Sequence, residues 1–276
     1  MDSPYRFELT RLDPLELAQT AALLQVVFPR ARHLTADYLQ WMYVDNPEGR
    51  AVGCNAWLGD DLVGHMVATP MRARTDRGEQ RGIGIQNGAI HPDHRGRRLQ
   101  SGISDAIFAD GIRQGYAFSF ATGNRASTGP LLTRYKLIRT VDVHVGLGAP
   151  RRRSGRFVPS FERLWTADIL SWRLANPQRR YAVRGGRILA ATGIPGIAAV
   201  LGEGFDLSDS GVAPPGPLRV YLGLDPGAAW AASGFIPIPQ RLRPSPLNLV
   251  WRDLAGEAPM PDVTRMIYRP LDSDLY

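Results

Sequence analysis

The chain has 276 residues, 44% of them apolar, with 32 arginines against one lysine and a net charge of +7. That is room for one large or two medium domains of ordinary core content. The composition excludes several classes. No stretch approaches the roughly 20 continuous apolar residues of a membrane span, and the single cysteine, Cys54, excludes an intrachain disulfide or a multi-cysteine metal site. The start, MDSPYRFELTRLD, lacks the basic and apolar regions of a signal peptide, so a cytoplasmic protein is expected.

In chain order, YRFELTRL alternates as a strand does, and Asp13-Pro14 then opens a helix through LELAQTAALLQVVF. TADYLQWMYVDNP predicts a second helix, capped by Thr35 and stopped at Asn46-Pro47. AVGCNAWLG, LVGHMVATPMRART and RGIGIQNGAIHP follow as a three-stranded meander joined by short turns. Cys54 lies in the first of these strands and reads as a core thiol. A basic loop and a helix come next. YAFSFATG predicts a fifth strand, NRASTGPLLTRY a short helix and LIRTVDVHVGL a sixth strand.

GAPRRRSGRFVPS breaks the pattern and reads as a linker. Beyond it, TADILSWRLANP (166–177) echoes TADYLQWMYVDNP (35–47). Both begin Thr-Ala-Asp, carry a tryptophan on the same helical face and end at Asn-Pro. The expected organisation is two related units, 1–148 and 161–276, with a linker at 149–160. YAVRGG, RILAATG, LRVYLGL, a short helix in PGAAWAASG, LNLVWRDL and TRMIYRPL are the pieces of the second unit.

The most informative stretch is HPDHRGRRLQSG, 91–102, between a strand and a helix. Free N–H groups at a helix start, with the helix dipole behind them, bind anions. Phosphate loops commonly carry several glycines. This one has Gly96 alone, among Arg95, Arg97 and Arg98. The second unit has no counterpart. Between Arg151 and Arg187 lie ten arginines against Glu162 and Asp168, a surface for a polyanion or simply a solvated face.

The element order, GAIHPDHRGRRLQSGI and GNRASTGPLLTRYKLIRTV together resemble the GNAT acyltransferase superfamily over about residues 5–148. The echo at 166 resembles its tandem members, whose second copy is degenerate. The resemblance implies an α/β (α+β) fold, a mixed and mostly antiparallel sheet flanked by helices, in two tandem units. It also implies an acyl-CoA donor, most simply acetyl-CoA, held by Ala89, Ile90, Arg95, Gly96, Arg97, Arg98, Leu99, Gln100 and Asn124, with no metal. Arg98 and Gln100 stand where the family has small residues. The family's leaving-group tyrosine would fall on Leu131, and Tyr135, one turn later, is the available substitute. The fourth strand offers Gln86 and Asn87 but no carboxylate, so the base is a water chain or the neighbouring His65. Tyr135, His65 and Asn87 are thus the catalytic set. His91 and His94 flank the loop, and His144 reads as structural.

The function implied is transfer of an acyl group from acyl-CoA to an amine of a small molecule. A second reading replaces the donor by aminoacyl-tRNA bound through the Arg151–Arg187 segment. A third is a binding module with a decayed donor site.

Overall fold

The computed structural model describes residues 4–155 and 157–273. The first part runs β1 (Arg6–Leu9), α1 (Pro14–Val27), α2 (Ala36–Tyr43), β2 (Val52–Leu58), β3 (Asp61–Thr75), β4 (Gly78–Ile90), α3 (Leu99–Arg113), β5 (Phe118–Gly123), α4 (Thr128–Leu132) and β6 (Lys136–Thr140). The rest runs β7 (Asp142–Leu147), β8 (Phe161–Arg163), α5 (Ala167–Leu174), β9 (Ala182–Arg184), β10 (Arg187–Ala191), β11 (Ile197–Gly202), β12 (Leu218–Gly223), β13 (Ile236–Pro237) and β14 (Asn248–Asp253). Short 3-10 turns fall at Ala231–Ser233, Val263–Arg265 and Pro270–Asp272.

Local signals operate where the sequence places them. The Asp13 carboxylate accepts the Glu16 N–H, and α1 buries Leu17, Ala21 and Leu24 at spacings of four and three. Thr35 caps α2 and Thr166 caps α5, each accepting the N–H three residues on. β1 to β4 form an antiparallel run. α1 and α2 cover one face through Leu24, Leu39 and Val67. α3 covers the other, where Ile103 and Ile107 meet Cys54, Ala56 and Ile83. Burial pushes the Cys54 thiol up to about 12, as befits a core position.

Chain order and sheet membership part company at three strands, β7, β8 and β14. The expected sixth strand, 137–147, is two strands broken at buried Val141, whose N–H donates to the Leu247 carbonyl at 2.8 Å. β6 stays in the first sheet, ordered β1-β2-β3-β4-β5-β14-β6, with β8 added beside β3. β7 passes into the second sheet, ordered β13-β7-β12-β11-β10-β9. β14 returns the exchange, lying between β5 and β6. Each sheet therefore has one parallel pair, β4 with β5 and β11 with β12, and next to it a strand drawn from the other half of the chain.

The two units meet on their repeated helices. Trp41 of α2 stacks on Trp172 of α5, with centroids 4.8 Å apart and planes at 19°. Each indole N–H donates to the other tryptophan's backbone carbonyl at 3.0 Å. That reciprocity is what a local two-fold relation between the copies produces. Beside it, Arg163 and Glu48 form a buried ion pair at 2.6 Å.

The second unit is the reduced one. Its parallel strands are joined by residues 203–217, which carry no helix where the first unit has α3. The end of β12 is closed by the C-terminal segment. Leu224 and Tyr268 exchange backbone hydrogen bonds at 2.9 Å, and a side chain at Gly223 would overlap the Tyr268 carbonyl.

If the tryptophan pair joins the units, Trp41→Ala and Trp172→Ala should each destabilise by about 3 kcal/mol. The double variant should cost less than the sum by about 1 kcal/mol in urea unfolding. Strict additivity would show that the stack contributes nothing of its own.

Candidate functional site

The basic loop is built to leave backbone donors free. A 3-10 turn at Pro92–His94 closes on itself, and Gly96 takes φ +76°. Arg98 caps α3 at φ 60°, ψ 17°, with no side-chain capping bond. This is the left-handed conformation a glycine would supply, held by an arginine at a cost of about 1–2 kcal/mol. The N–H groups of Gly96, Arg97, Arg98, Leu99 and Gln100 donate to no group among the described residues. Five amide donors at the start of a 15-residue helix, ringed by exposed Arg95, Arg97 and Arg98, make an anion site.

The loop opens into a cleft because β4 and β5 pair only briefly. Gly82, Ile83 and Gly84 register with Phe118, Ser119 and Phe120, and then the strands part. Gly82 permits even that approach, since a Cβ there would overlap the Phe118 ring. β4 also bulges: Gln86 pairs with Val67 and Ala89 with His65, so Asn87 and Gly88 together face Met66. Asn87 sits at φ 52°, which asparagine tolerates better than most residues. The resulting cleft, about 740 Å³, is lined by β4 from Ile85 to Ile90, the loop from His94 to Gln100, Thr122 of β5 and Asn124 just past it. Val27, Phe28, Ala31, His33 and Leu34, between α1 and α2, form an apolar far wall.

Behind Asn87 a hydrogen-bond chain runs into the core. The Asn87 amide N–H donates to the Tyr43 hydroxyl at 2.7 Å, and that hydroxyl lies 3.4 Å from His65 Nε2. His65 Nδ1 is 2.7 Å from Asn55 Oδ1. Asn55 donates to Glu16 Oε1 at 2.6 Å, and Glu16 Oε2 receives the N–H groups of Arg11 and Leu12 at 2.6 Å each. Tyr43, His65 and Asn55 are fully buried, and Glu16 is nearly so. Burial drives His65 down to about 3, and it drives the Tyr43 phenol up. His65 is therefore a neutral ring, and nothing in its setting favours the imidazolium that a base would become.

Of the residues expected at the site, His65, Asn87, Ala89, Ile90, Arg95 to Gln100 and Asn124 all border this one cleft. Asn124 has its side-chain oxygen engaged by the N–H groups of Ala126 and Ser127, a turn that delays α4 to Thr128. Tyr135 is elsewhere. It is a core residue beneath α3, edge-on to Phe108, its hydroxyl 2.7 Å from Ser119 Oγ. His144 is stacked on Trp230 in the second sheet. The sequence reading missed Tyr43, Asn55 and Glu16. Each lies on a different element, and only packing brings them into line.

The arginines of 151–187 are largely committed to the fold. Arg152 pairs with Asp225 and Glu203, and Arg187 with Glu203. Arg153 and Arg184 bond backbone carbonyls, and Arg163 and Arg173 are buried. Arg156 lies outside the described residues.

A neutral buried His65 has a stability signature. Its folded value lies below its unfolded one, so between about pH 6.5 and 3 the unfolded chain binds the extra proton. The contribution is complete above pH 6.5 and is lost as pH falls, by up to about 1.4 kcal/mol per unit. The His65 ring resonances should stay fixed from pH 8 to 5, and a midpoint near 6.5 would contradict the burial argument.

No protein-family model matches the chain, and no curated protein matches it in sequence. Solved structures do match in fold. A probable N-acyltransferase from Enterococcus faecalis V583 superposes with TM-score 0.65 at 11% identity, covering 91% of this chain and 73% of that one. A GCN5-related N-acetyltransferase from Kribbella flavida gives 0.60 at 12%, with the same coverages. Eis1 from Mycobacterium abscessus gives 0.59 at 10%, covering 92% of this chain and 75% of that one. With its two mixed, mostly antiparallel sheets, the chain has the fold of tandem GNAT N-acetyltransferases.

Proposed function

We propose that this protein is an N-acyltransferase that moves an acyl group, most simply acetyl, from acyl-CoA to an amine of a small molecule. The observation that carries this is the row of unpartnered N–H groups from Gly96 to Gln100, under three arginines and open to the cleft. A pyrophosphate fits such a row by charge and by donor count. The cleft beyond it runs between two parted strands, where the side of β4 facing β5 has no partner strand from Ile85 to Ile90 among the described residues and can bond an extended amide-bearing arm.

Acyl-CoA supplies the acyl group as a thioester, and the protein supplies position. The donor's phosphates rest on the Gly96–Gln100 amides, and Ala89 and Ile90 border its arm. The acceptor approaches from the wall of Val27, Phe28, Ala31 and Leu34, beside Gln86 and Asn87. The amine nitrogen forms the bond to the acyl carbon, the carbon–sulfur bond breaks, and the amine proton leaves for water or the departing thiolate. His65 is held neutral in this scheme and acts on Asn87 through Tyr43 rather than on substrate.

Calorimetry with coenzyme A and a thiol-release assay over a panel of primary amines test the proposal. Coenzyme A should bind and raise the melting temperature, and thiol should appear only with an amine present. Binding without transfer would favour a binding module, and no binding would remove the donor site. Gly96→Val should weaken coenzyme A tenfold or more. The reason is backbone strain at φ +76°, since the space beside Gly96 is open. Arg98→Gly should stabilise the protein by about 1 kcal/mol, through relief of its left-handed backbone, with donor affinity held within a few-fold.

A further inference from the structure

Two side-chain amides line the cleft, and in both the fold has determined which end is engaged by hydrogen bonds and which is left over. For Asn87 the determination comes from Glu16, four hydrogen bonds away. An ionised carboxylate only accepts, so Asn55 presents its NH2 to Glu16 and its oxygen to His65. His65 then carries its proton on Nδ1. As a neutral ring it offers a lone pair at Nε2, which receives the Tyr43 hydroxyl proton. The Tyr43 oxygen is left to accept, and Asn87 donates to it. The Asn87 carbonyl oxygen, which receives no hydrogen bond among the described residues, is the end presented to the cleft.

Gln86 repeats the arrangement by a shorter route. Thr69 Oγ1 donates to the Gly84 carbonyl at 3.4 Å and receives the Gln86 NH2 at 2.9 Å. The Gln86 oxygen is buried and has no hydrogen-bond partner among the described residues. A buried carbonyl oxygen without a donor is costly to the fold. Both residues line the cleft, Asn87 within the β4 bulge and Gln86 beside it. Of the two oxygens, that of Asn87 is the one a cleft-bound N–H can reach.

We infer that the Asn87 side-chain oxygen is the seat of the acceptor's amine, and that Glu16 is a positioning residue that sets the polarity of the Asn87 amide through Asn55, His65 and Tyr43. This rests on the acyltransferase reading above. The seat is neutral, so it holds the nitrogen by its N–H groups rather than by charge.

Glu16→Gln tests the chain with almost no change of shape. The two backbone N–H groups of Arg11 and Leu12 hold the new side-chain oxygen where Oε2 was, so the new NH2 faces Asn55. Every link then reverses. Asn55 turns over, His65 moves its proton to Nε2, Tyr43 donates toward Asn87, and Asn87 presents NH2 to the cleft. Nitrogen-15 NMR of the imidazole should report an Nδ1–H tautomer in the wild type and an Nε2–H tautomer in Glu16→Gln. The KM for the amine should rise about tenfold, with KM for acetyl-CoA and coenzyme A affinity unchanged. Tyr43→Phe, which cuts the chain without reversing it, should raise the amine KM while leaving His65 on Nδ1.

A tautomer that fails to switch would overturn the chain. A switched tautomer with unaltered amine kinetics would overturn the seat. Should the wild type bind coenzyme A and acylate no amine, the acyltransferase reading falls and the seat with it. Should it acylate and Glu16→Gln match it, the seat alone falls.

Discussion

The architecture turns on unequal pairing along β5. This strand registers with β14 over all six residues, Phe118 to Gly123, and with β4 over only three. Held on one side and released on the other, β5 keeps the gap to β4 from closing. The gap is the cleft, and the β4 bulge at Asn87 and Gly88 bends its other wall. The strand that holds β5 in place, β14, is contributed by the C-terminal half of the chain. The first unit therefore owes its open site to the second, which is a physical reason for the halves to remain covalently joined.

The second sheet has the same layout with the opposite outcome. β11 and β12 are its parallel pair, and β7, taken from the first half, lies beside β12. Here the space past the parallel pair is filled by Tyr268, Arg269 and Pro270, leaving a hollow of about 40 Å³. No helix follows β11, so no helix start is available to receive an anion. The copy survives as a support for β14 and as the other half of the tryptophan contact.

Charge inside this protein is used to orient rather than to titrate. Glu16 is buried with three donors on its carboxylate, and its influence runs through side chains whose protonation is unchanged over the ordinary pH range. Such a network is expensive to half-satisfy and specific when complete. The same economy governs the arginines of 151–187, where salt bridges, carbonyls and burial absorb much of the apparent surplus. A run of like charge in sequence is thus a poor guide to field at the surface when acidic partners, such as Asp225 and Glu203, come from distant positions.

The sequence by itself determined the local elements, the repeat and the site's floor. Caps at Asp13, Thr35 and Thr166 act within four residues, alternation marks β2 to β4, and the strand–loop–helix order around Gly96 is a contiguous signal. That is why nine residues of the 95–100 loop and the β4 edge, Asn87, Ala89, Ile90 and Arg95 to Gln100, could be named in advance as neighbours at one cleft. Tertiary structure decided the rest. Whether 137–147 is one strand or two depends on β14 occupying the place beside β5, a pairing made more than a hundred residues away. Whether Tyr135 meets the cleft or the core depends on which face of β5 it packs against, and Phe108 and Ser119 take it to the core. The polarity of Asn87 depends on Glu16, Tyr43, Asn55 and His65, which share no spacing rule. Hydrogen-bond direction passes through space from one side chain to the next, and only the folded arrangement of α1, α2, β2, β3 and β4 lets that direction reach the cleft.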